Sequence, residues 1–253
     1  MAILIKKVLK TILPESILLH ISAYDNYIWG EAEIRLVSYF CDRARTALDI
    51  GANIGSYTYF MRKYARHVYA YEPNPELANR LTRLFSDVTV RCAAVSNAAA
   101  AELKLRIPVR DGRHMHELAS VAQTFPTDTL VEYPVPAVRI DDEDVGDVGF
   151  IKIDVEQHEF PALLGAIETI RRFRPVIMVE TCPLLYPKEL PEMLAFITDE
   201  NYNGFFKFQR HYLPLTMFLP NIHARADNYP TLFMEPNVIL LPSEQNSSFL
   251  QSR

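Results

Sequence analysis

Between Thr46 and Glu180 the chain alternates short, almost wholly apolar runs with stretches in which apolar residues recur every three or four positions. The short runs, Thr46–Ile50, His67–Glu72, Val88–Cys92, Phe150–Asp154 and Val176–Glu180, predict strands covered on both faces, as in a parallel sheet. The periodic stretches predict the crossover helices. Tyr57, Phe60, Met61 and Tyr64 share one helical face, and Leu77, Leu81 and Leu84 share another within Glu76–Phe85. Phe160, Leu163, Leu164, Ile167 and Ile170 predict a single helix with Pro161 in its first turn, and Pro191–Glu200 predicts a fourth.

From Ala99 to Ile140 the rhythm changes. Leu103, Leu105 and Ile107 alternate with Glu102, Lys104 and Arg106, the period of a half-buried strand. Val131–Ile140 also reads as extended, with Pro134 and Pro136 keeping it from a central place in a sheet. The polar stretch Arg110–Asp128 predicts a mobile loop carried over the site on this β-excursion. Two more strands are expected near Phe205–Gln209 and Val238–Leu241, and the polar tail 243–253 is expected to fray. The expected organisation is an N-terminal helical extension over 1–40, one α/β domain over 41–242 with the excursion at 99–140, and the tail.

Composition narrows the function classes. With 49% apolar and 23% charged residues in 253, the chain can bury one sizeable core. A net charge of −5 lacks the basic footprint of a nucleic-acid binder. Cys41, Cys92 and Cys182 are too widely spaced for a disulfide framework or a zinc cluster, which points to a reducing, cytoplasmic setting. Cys92, inside an apolar run, is expected to be a small buried hydrophobe. Met1–His20 carries Lys6, Lys7 and Lys10 among apolar residues, without a signal-peptide cleavage pattern. It lacks the run of about 18 apolar residues needed to span a bilayer. Packing on the domain or on a partner subunit is the expected role, and membrane-surface contact is the less favoured alternative.

The chemistry concentrates in Ala47-Leu-Asp-Ile-Gly-Ala-Asn-Ile-Gly-Ser56, a strand, a glycine-bearing turn and a helix start. Gly51 and Gly55 allow a tight turn and close approach of a ligand. Glu72, 21 residues beyond Gly51, ends the next strand at the distance suited to the hydroxyls of a ribose. The pattern is not G-x-G-x-x-G, because Asn53 and Ser56 replace two of its three glycines. Asp49 adds negative charge beside the turn. A carboxylate there opposes a pyrophosphate and suits the cationic amino-acid end of S-adenosylmethionine. An NAD-linked oxidoreductase on the same fold is the rival reading, and a non-catalytic cofactor-binding protein is a second.

Leu48-Asp-Ile-Gly-Ala-Asn-Ile-Gly55, Tyr71-Glu-Pro-Asn-Pro75 and Ile151-Lys-Ile-Asp-Val-Glu-Gln-His-Glu159, in this order and spacing, resemble the FkbM-type methyltransferases. The resemblance covers roughly Asp42 to Glu180. It implies an α/β, Rossmann-like class I methyltransferase fold, with a mostly parallel central sheet and helices on both faces. It also implies S-adenosylmethionine-dependent O-methyl transfer to a hydroxyl of a small natural product, sugar or glycan. By the resemblance, Asp49, Gly51, Asn53 and Gly55 surround the methionine part of the cofactor and Glu72 holds the ribose. Pro73 and Asn74 flank the adenine, Ala93 and Ala94 lie at its edge, and Asp154 ends the fourth strand between cofactor and acceptor. Gln157 and His158 stand where the family has Gly and a variable residue, which predicts a less sharp turn and side chains in the cleft.

Asp154 is the first candidate for the general base or acceptor orienter, with only one of Asp154 and Glu156 expected to face the ligand side of the sheet. His158 is the second candidate base, or a hydrogen-bonding residue at a helix start. His114 and His116 lie in the polar loop with no ligand-spaced partner in the sequence, so no metal site is expected.

Overall fold

The computed structural model describes residues 13–110, 112–122, 129–180, 189–208, 211–218, 237–245 and 247. Two short helices lead in, α1 (Glu15–Trp29) and α2 (Val37–Phe40). The first βα units follow as β1 (Thr46–Ile50), α3 (Ser56–Tyr64), β2 (His67–Tyr71), α4 (Pro75–Leu84) and β3 (Val88–Arg91). The excursion holds β4 (Ala94–Val95), β5 (Ala100–Arg110), β6 (Arg113–His114) and β7 (Thr129–Val138). Next come β8 (Val148–Ile153), α5 (Glu159–Leu164), α6 (Ile167–Phe173), β9 (Val176–Glu180) and α7 (Glu189–Asp199). The chain closes with β10 (Tyr202–Phe208), β11 (His211–Pro214) and β12 (Asn237–Pro242).

The main sheet has eight strands in the order β11-β10-β12-β9-β8-β1-β2-β3. β3, β2, β1, β8 and β9 are parallel, while β12 runs antiparallel between β9 and β10. Strand order therefore reverses between β1 and β8, where an open α/β sheet forms its ligand crevice. Strand period two divides the side chains into two cores. Ala47, Phe150 and Met178 face α1, α3 and α4 with Met61 and Leu81, and Leu48, Ile151 and Ile177 face α5, α6 and α7 with Leu163 and Ile170. Helices thus cover both faces of a mostly parallel sheet, as expected for the Rossmann-like class.

Several boundaries depart from the sequence pattern. The predicted helix through Ile170 is two helices, broken at Gly165–Ala166. Gly165 sits so close to the Ser96 carbonyl that any Cβ would overlap it, and the apolar period runs on across the break. β11, a strand with Tyr212 buried and His211 exposed, was not predicted. The tail is held at its start, where Glu244 pairs with Arg174 at 3.0 Å, and its end lies outside the described residues. Cys92 is exposed rather than buried, because β3 is an edge strand that ends at Arg91. Cys182 and Gln209 lie outside the described residues.

The excursion pairs β5 with β7 in an antiparallel ribbon, and β4 joins it in parallel at Ala94↔Ala137. The stretch expected to be a mobile loop is tied down over 112–122. β6 pairs with β5, and Ser120 exchanges both backbone hydrogen bonds with Arg106, at 2.9 and 3.1 Å. The rest of it, 123–128, lies outside the described residues.

Candidate active site

A cleft opens at the β1/β8 reversal. Gly51 and Asn53 of the first turn, Glu72 and Pro73 after β2, and Ala93 and Ala94 after β3 line it. Asp154, Glu156 and His158 after β8 close the other side. The excursion supplies a wall of Leu105, His116, Ala119 and Val121, which sequence reasoning did not assign. Asp49, Gly55 and Asn74 do not line the cleft. They stand behind it, Asp49 and Asn74 buried, and shape its wall.

The turn is built from backbone. Gly51 has φ +85°, and a Cβ there would overlap the Asp154 carbonyl oxygen. Gly55, at φ +90°, leaves room for Leu81 and Phe85, which an added Cβ would meet at 2.7 and 2.9 Å. The N–H groups of Gly51 and Ala52 donate to the Tyr71 carbonyl at 2.9 and 3.0 Å, and that of Gly55 donates to Ala52 at 2.8 Å. The Asn53 N–H donates to Glu72 Oε2 at 2.7 Å, and the Asn74 N–H donates to Oε1 at 2.8 Å. Glu72 therefore clasps the first two βα turns together. Asn74 then caps α4, accepting from the Glu76 N–H at 3.0 Å with Pro75 at the first helical position.

A charge cluster runs from the cleft into the core, with Asp49 and Lys152 buried and Asp154 and Glu180 half-buried. Asp49, Lys152, Asp154 and Glu180 share one face of the strands, by period two and sheet register. Lys152 is 1% exposed, with Nζ 3.6 Å from Asp154 Oδ2 and 5.1 Å from the Tyr57 ring centroid. Tyr57 donates to Glu31 at 2.8 Å. Burial works against the Lys152 charge, but Asp154, Glu180, Glu31 and Asp49 outweigh it and hold its pKa above the ordinary value. Burial pushes Asp154 well above the usual carboxylate range; Lys152 opposes this, and Glu180 adds to it by charge and hydrogen bond. Asp49 rises to about 6 through burial, tempered by the Thr58 hydroxyl that donates to it. Glu72 rises to about 7 for the same reason, moderated by the Asn74 and Asn53 amides. The sequence signal for Lys152 was available: a lysine flanked by Ile151 and Ile153 in a central strand is rarely buried without partners.

The turn after β8 keeps its tightness without glycine. Glu156 and Gln157 adopt φ +50° and +72°, so the less sharp turn expected there is corrected. The Glu159 carboxylate accepts from the Val155 and Gln157 amides, both at 3.2 Å, and holds this strained pair. Glu156 lines the cleft beside Asp154, against the expectation that only one would: two residues apart along a strand end fall on the same side, and the turn at Glu156 keeps it there. His158 Nε2 lies 3.0 Å from Ser96 Oγ, and burial lowers its pKa, so the imidazole is neutral at pH 7.

His114 and His116 do find a carboxylate. Glu76 lies 4.0 Å from His114 Nδ1 and 3.8 Å from His116 Nε2, a grouping with the spacing of metal ligands. The Asn74 cap sets the His116 tautomer. Its Oδ1 takes the Glu76 N–H, so its Nδ2 faces His116 Nδ1 at 2.8 Å and donates to it. The His116 proton then sits on Nε2, toward Glu76, where a metal would need a lone pair.

Raised carboxylate pKa values carry a sign for stability. Asp49, Glu72 and Glu159, at about 6, 7 and 7, keep protons in the folded chain that the unfolded chain releases above about pH 4. Stability of the ligand-free protein is expected to fall as pH rises from about 4 to 7, by several kcal/mol in all, and to level off above. Urea unfolding at intervals across that range reads this directly. A flat or rising profile contradicts the buried-carboxylate description.

The fold and cleft define an α/β protein with a ligand crevice at the strand-order reversal. Residues 49–203 match the methyltransferase FkbM domain, and the chain belongs to that family of methyltransferases. The chain is 28% identical over 176 residues to hexuronic acid methyltransferase AglP of Haloferax volcanii, covering 66% of this chain and 68% of that protein. A solved FkbM methyltransferase from Methylobacillus flagellatus is 16% identical with a TM-score of 0.49, over 79% of this chain and 44% of that one. A Streptococcus mutans methyltransferase in complex with SAH is 12% identical with a TM-score of 0.44, over 83% and 94%.

Proposed function

We propose that this methyltransferase uses S-adenosylmethionine to methylate an oxygen of a sugar or glycan. The observation that carries the cofactor reading is Glu72, buried in the cleft wall with each oxygen already accepting one backbone N–H. A carboxylate offers about four lone-pair sites, so two remain for the two hydroxyls of a ribose. Gly51 presents a surface with no side chain to the methionine part, and the buried carboxylates outnumber Lys152, which suits a ligand bearing cations. The turn geometry also speaks against a dinucleotide. The amides of Gly51, Ala52, Asn53 and Gly55 are all committed within the protein, so none is free to cradle a pyrophosphate.

S-adenosylmethionine supplies a methyl group on a sulfonium, an electrophile that needs little further activation. What the protein adds is position and a place for one proton. Asp154, at the end of β8 and on the cleft, orients the acceptor oxygen; its ionised form, which Lys152 favours against the burial that raises its pKa, takes the proton. His158, neutral and bonded to Ser96, forms the wall on the Ala94 side. The sugar acceptor is supported by the kinship with the hexuronic acid enzyme.

Transfer of labelled methyl from S-adenosylmethionine to hexuronic-acid-bearing glycans tests the acceptor class. Asp154→Asn is expected to lower turnover by roughly 10²–10⁴ with donor affinity changed much less. An unchanged rate removes Asp154 from the chemistry, and transfer only to non-carbohydrate hydroxyls overturns the sugar assignment.

A further inference from the structure

Helix α1 buries Leu19 and Ala23 against the core that contains Phe60 and Met61. Its exposed side carries an apolar line beside Asp25 and His20. Ile17, Ile21, Tyr24 and Ile28 are 44%, 47%, 38% and 50% exposed, and Trp29 at its end is 83% exposed. At 100° per residue the first four fall within about 60° of one another, roughly opposite Leu19 and Ala23. Exposed apolar residues scattered singly are ordinary, but four in register along one helix make a continuous strip.

We infer that this strip docks on an anionic lipid surface, with α1 lying in the plane of the interface. The charges that precede it in the sequence support that occupant. Residues 1–14, joined directly to α1, hold Lys6, Lys7 and Lys10 and no acidic residue, in a chain whose net charge is −5. The Lys63 ammonium sits 5.2 Å from the Tyr24 ring beside the strip. The helix itself carries no Lys or Arg and two acids, Glu15, paired with Arg80 at 2.9 Å and Arg83 at 3.7 Å, and exposed Asp25, so the attraction to an anionic surface comes from the lysines that precede it in the chain. An apolar strip, a lysine-bearing segment joined to it in the chain, and Tyr and Trp on the helix fit an interfacial helix. A second copy of the chain fits less well. The strip is one side chain wide, short of the ~800 Å² per partner that a stable dimer covers. No helix among the described residues is long and apolar enough to cross a membrane, so the contact is lateral.

The test is co-sedimentation of the full chain with vesicles of phosphatidylcholine, alone or mixed with phosphatidylglycerol. The wild-type protein is expected to pellet with the mixed vesicles and not with the neutral ones. Replacing Lys6, Lys7 and Lys10 together by Gln lowers this affinity roughly a hundredfold. The double variant Ile21→Glu, Ile28→Glu lowers it by roughly tenfold or more, with an unchanged melting curve showing that the fold is intact. No binding of the wild type to either vesicle overturns the inference, as does undiminished binding of the double variant. A concentration-dependent dimer abolished by that variant, without vesicle binding, makes a second copy the occupant and overturns it equally.

Discussion

Glu72→Ala is expected to weaken S-adenosylmethionine binding by at least about a hundredfold, since two hydrogen bonds to a charged acceptor are lost at about 1.5–3 kcal/mol each. The loss has two sources. The ribose hydroxyls lose their acceptor, and the Asn53 and Asn74 amides, 2.7 and 2.8 Å from the carboxylate, lose the group that holds the two turns together. Glu72→Gln separates the two. Its amide retains one acceptor oxygen, so one turn stays clasped, and binding is expected to fall less than in the alanine variant. Calorimetric titration measures both, and an alanine variant that binds as tightly as the wild type refutes the role given to Glu72.

Gly51→Ala is expected to cost about 3–5 kcal/mol of stability, a drop of roughly 10 °C in Tm for a chain of this size. At φ +85° the added Cβ overlaps the Asp154 carbonyl oxygen, between strand ends that are zipped by the Asp154 N–H to Ile50 bond at 2.9 Å. The turn must move or β1 and β8 must part. Gly112→Ala is the control. Gly112 also has positive φ, +70°, but nothing lies within 4 Å of its added Cβ. Only the backbone preference is lost there, about 1–2 kcal/mol. Thermal unfolding of both variants checks the difference, and equal melting temperatures would show that close approach at Gly51 does not matter.

The parallel core of the fold was legible because its strands are buried on both faces. Thr46–Ile50 and Val176–Glu180 match the structure in full, while β2, β3 and β8 end one residue before the apolar pattern suggested. Those extra residues, Glu72, Cys92 and Asp154, stand just past the strand ends, and Glu72 and Asp154 there line the cleft. The floor of the cleft was legible for a related reason: glycines and acids at strand ends report a backbone turn and a polar ligand through local chemistry alone. The excursion wall was not. His116, Ala119 and Val121 reach the cleft only through pairing of Ser120 with Arg106 and of β5 with β7, contacts far apart in sequence. The same holds for Glu76, which meets His114 and His116 only after α4 and β6 are placed. Lys152 is the instructive case. Its position in an apolar strand signalled a buried partner, but only the sheet register shows that Asp49, Asp154 and Glu180 share its face.

The central claim is that this cleft holds S-adenosylmethionine through Glu72 and the carboxylates beneath it. Calorimetric titration of the full chain with S-adenosylmethionine, S-adenosylhomocysteine and NAD tests it most directly. Saturable binding of the first two, lost in Glu72→Ala, with no heat from NAD, is the predicted result. Binding of NAD alone, or of no nucleoside by a folded protein, would contradict the account.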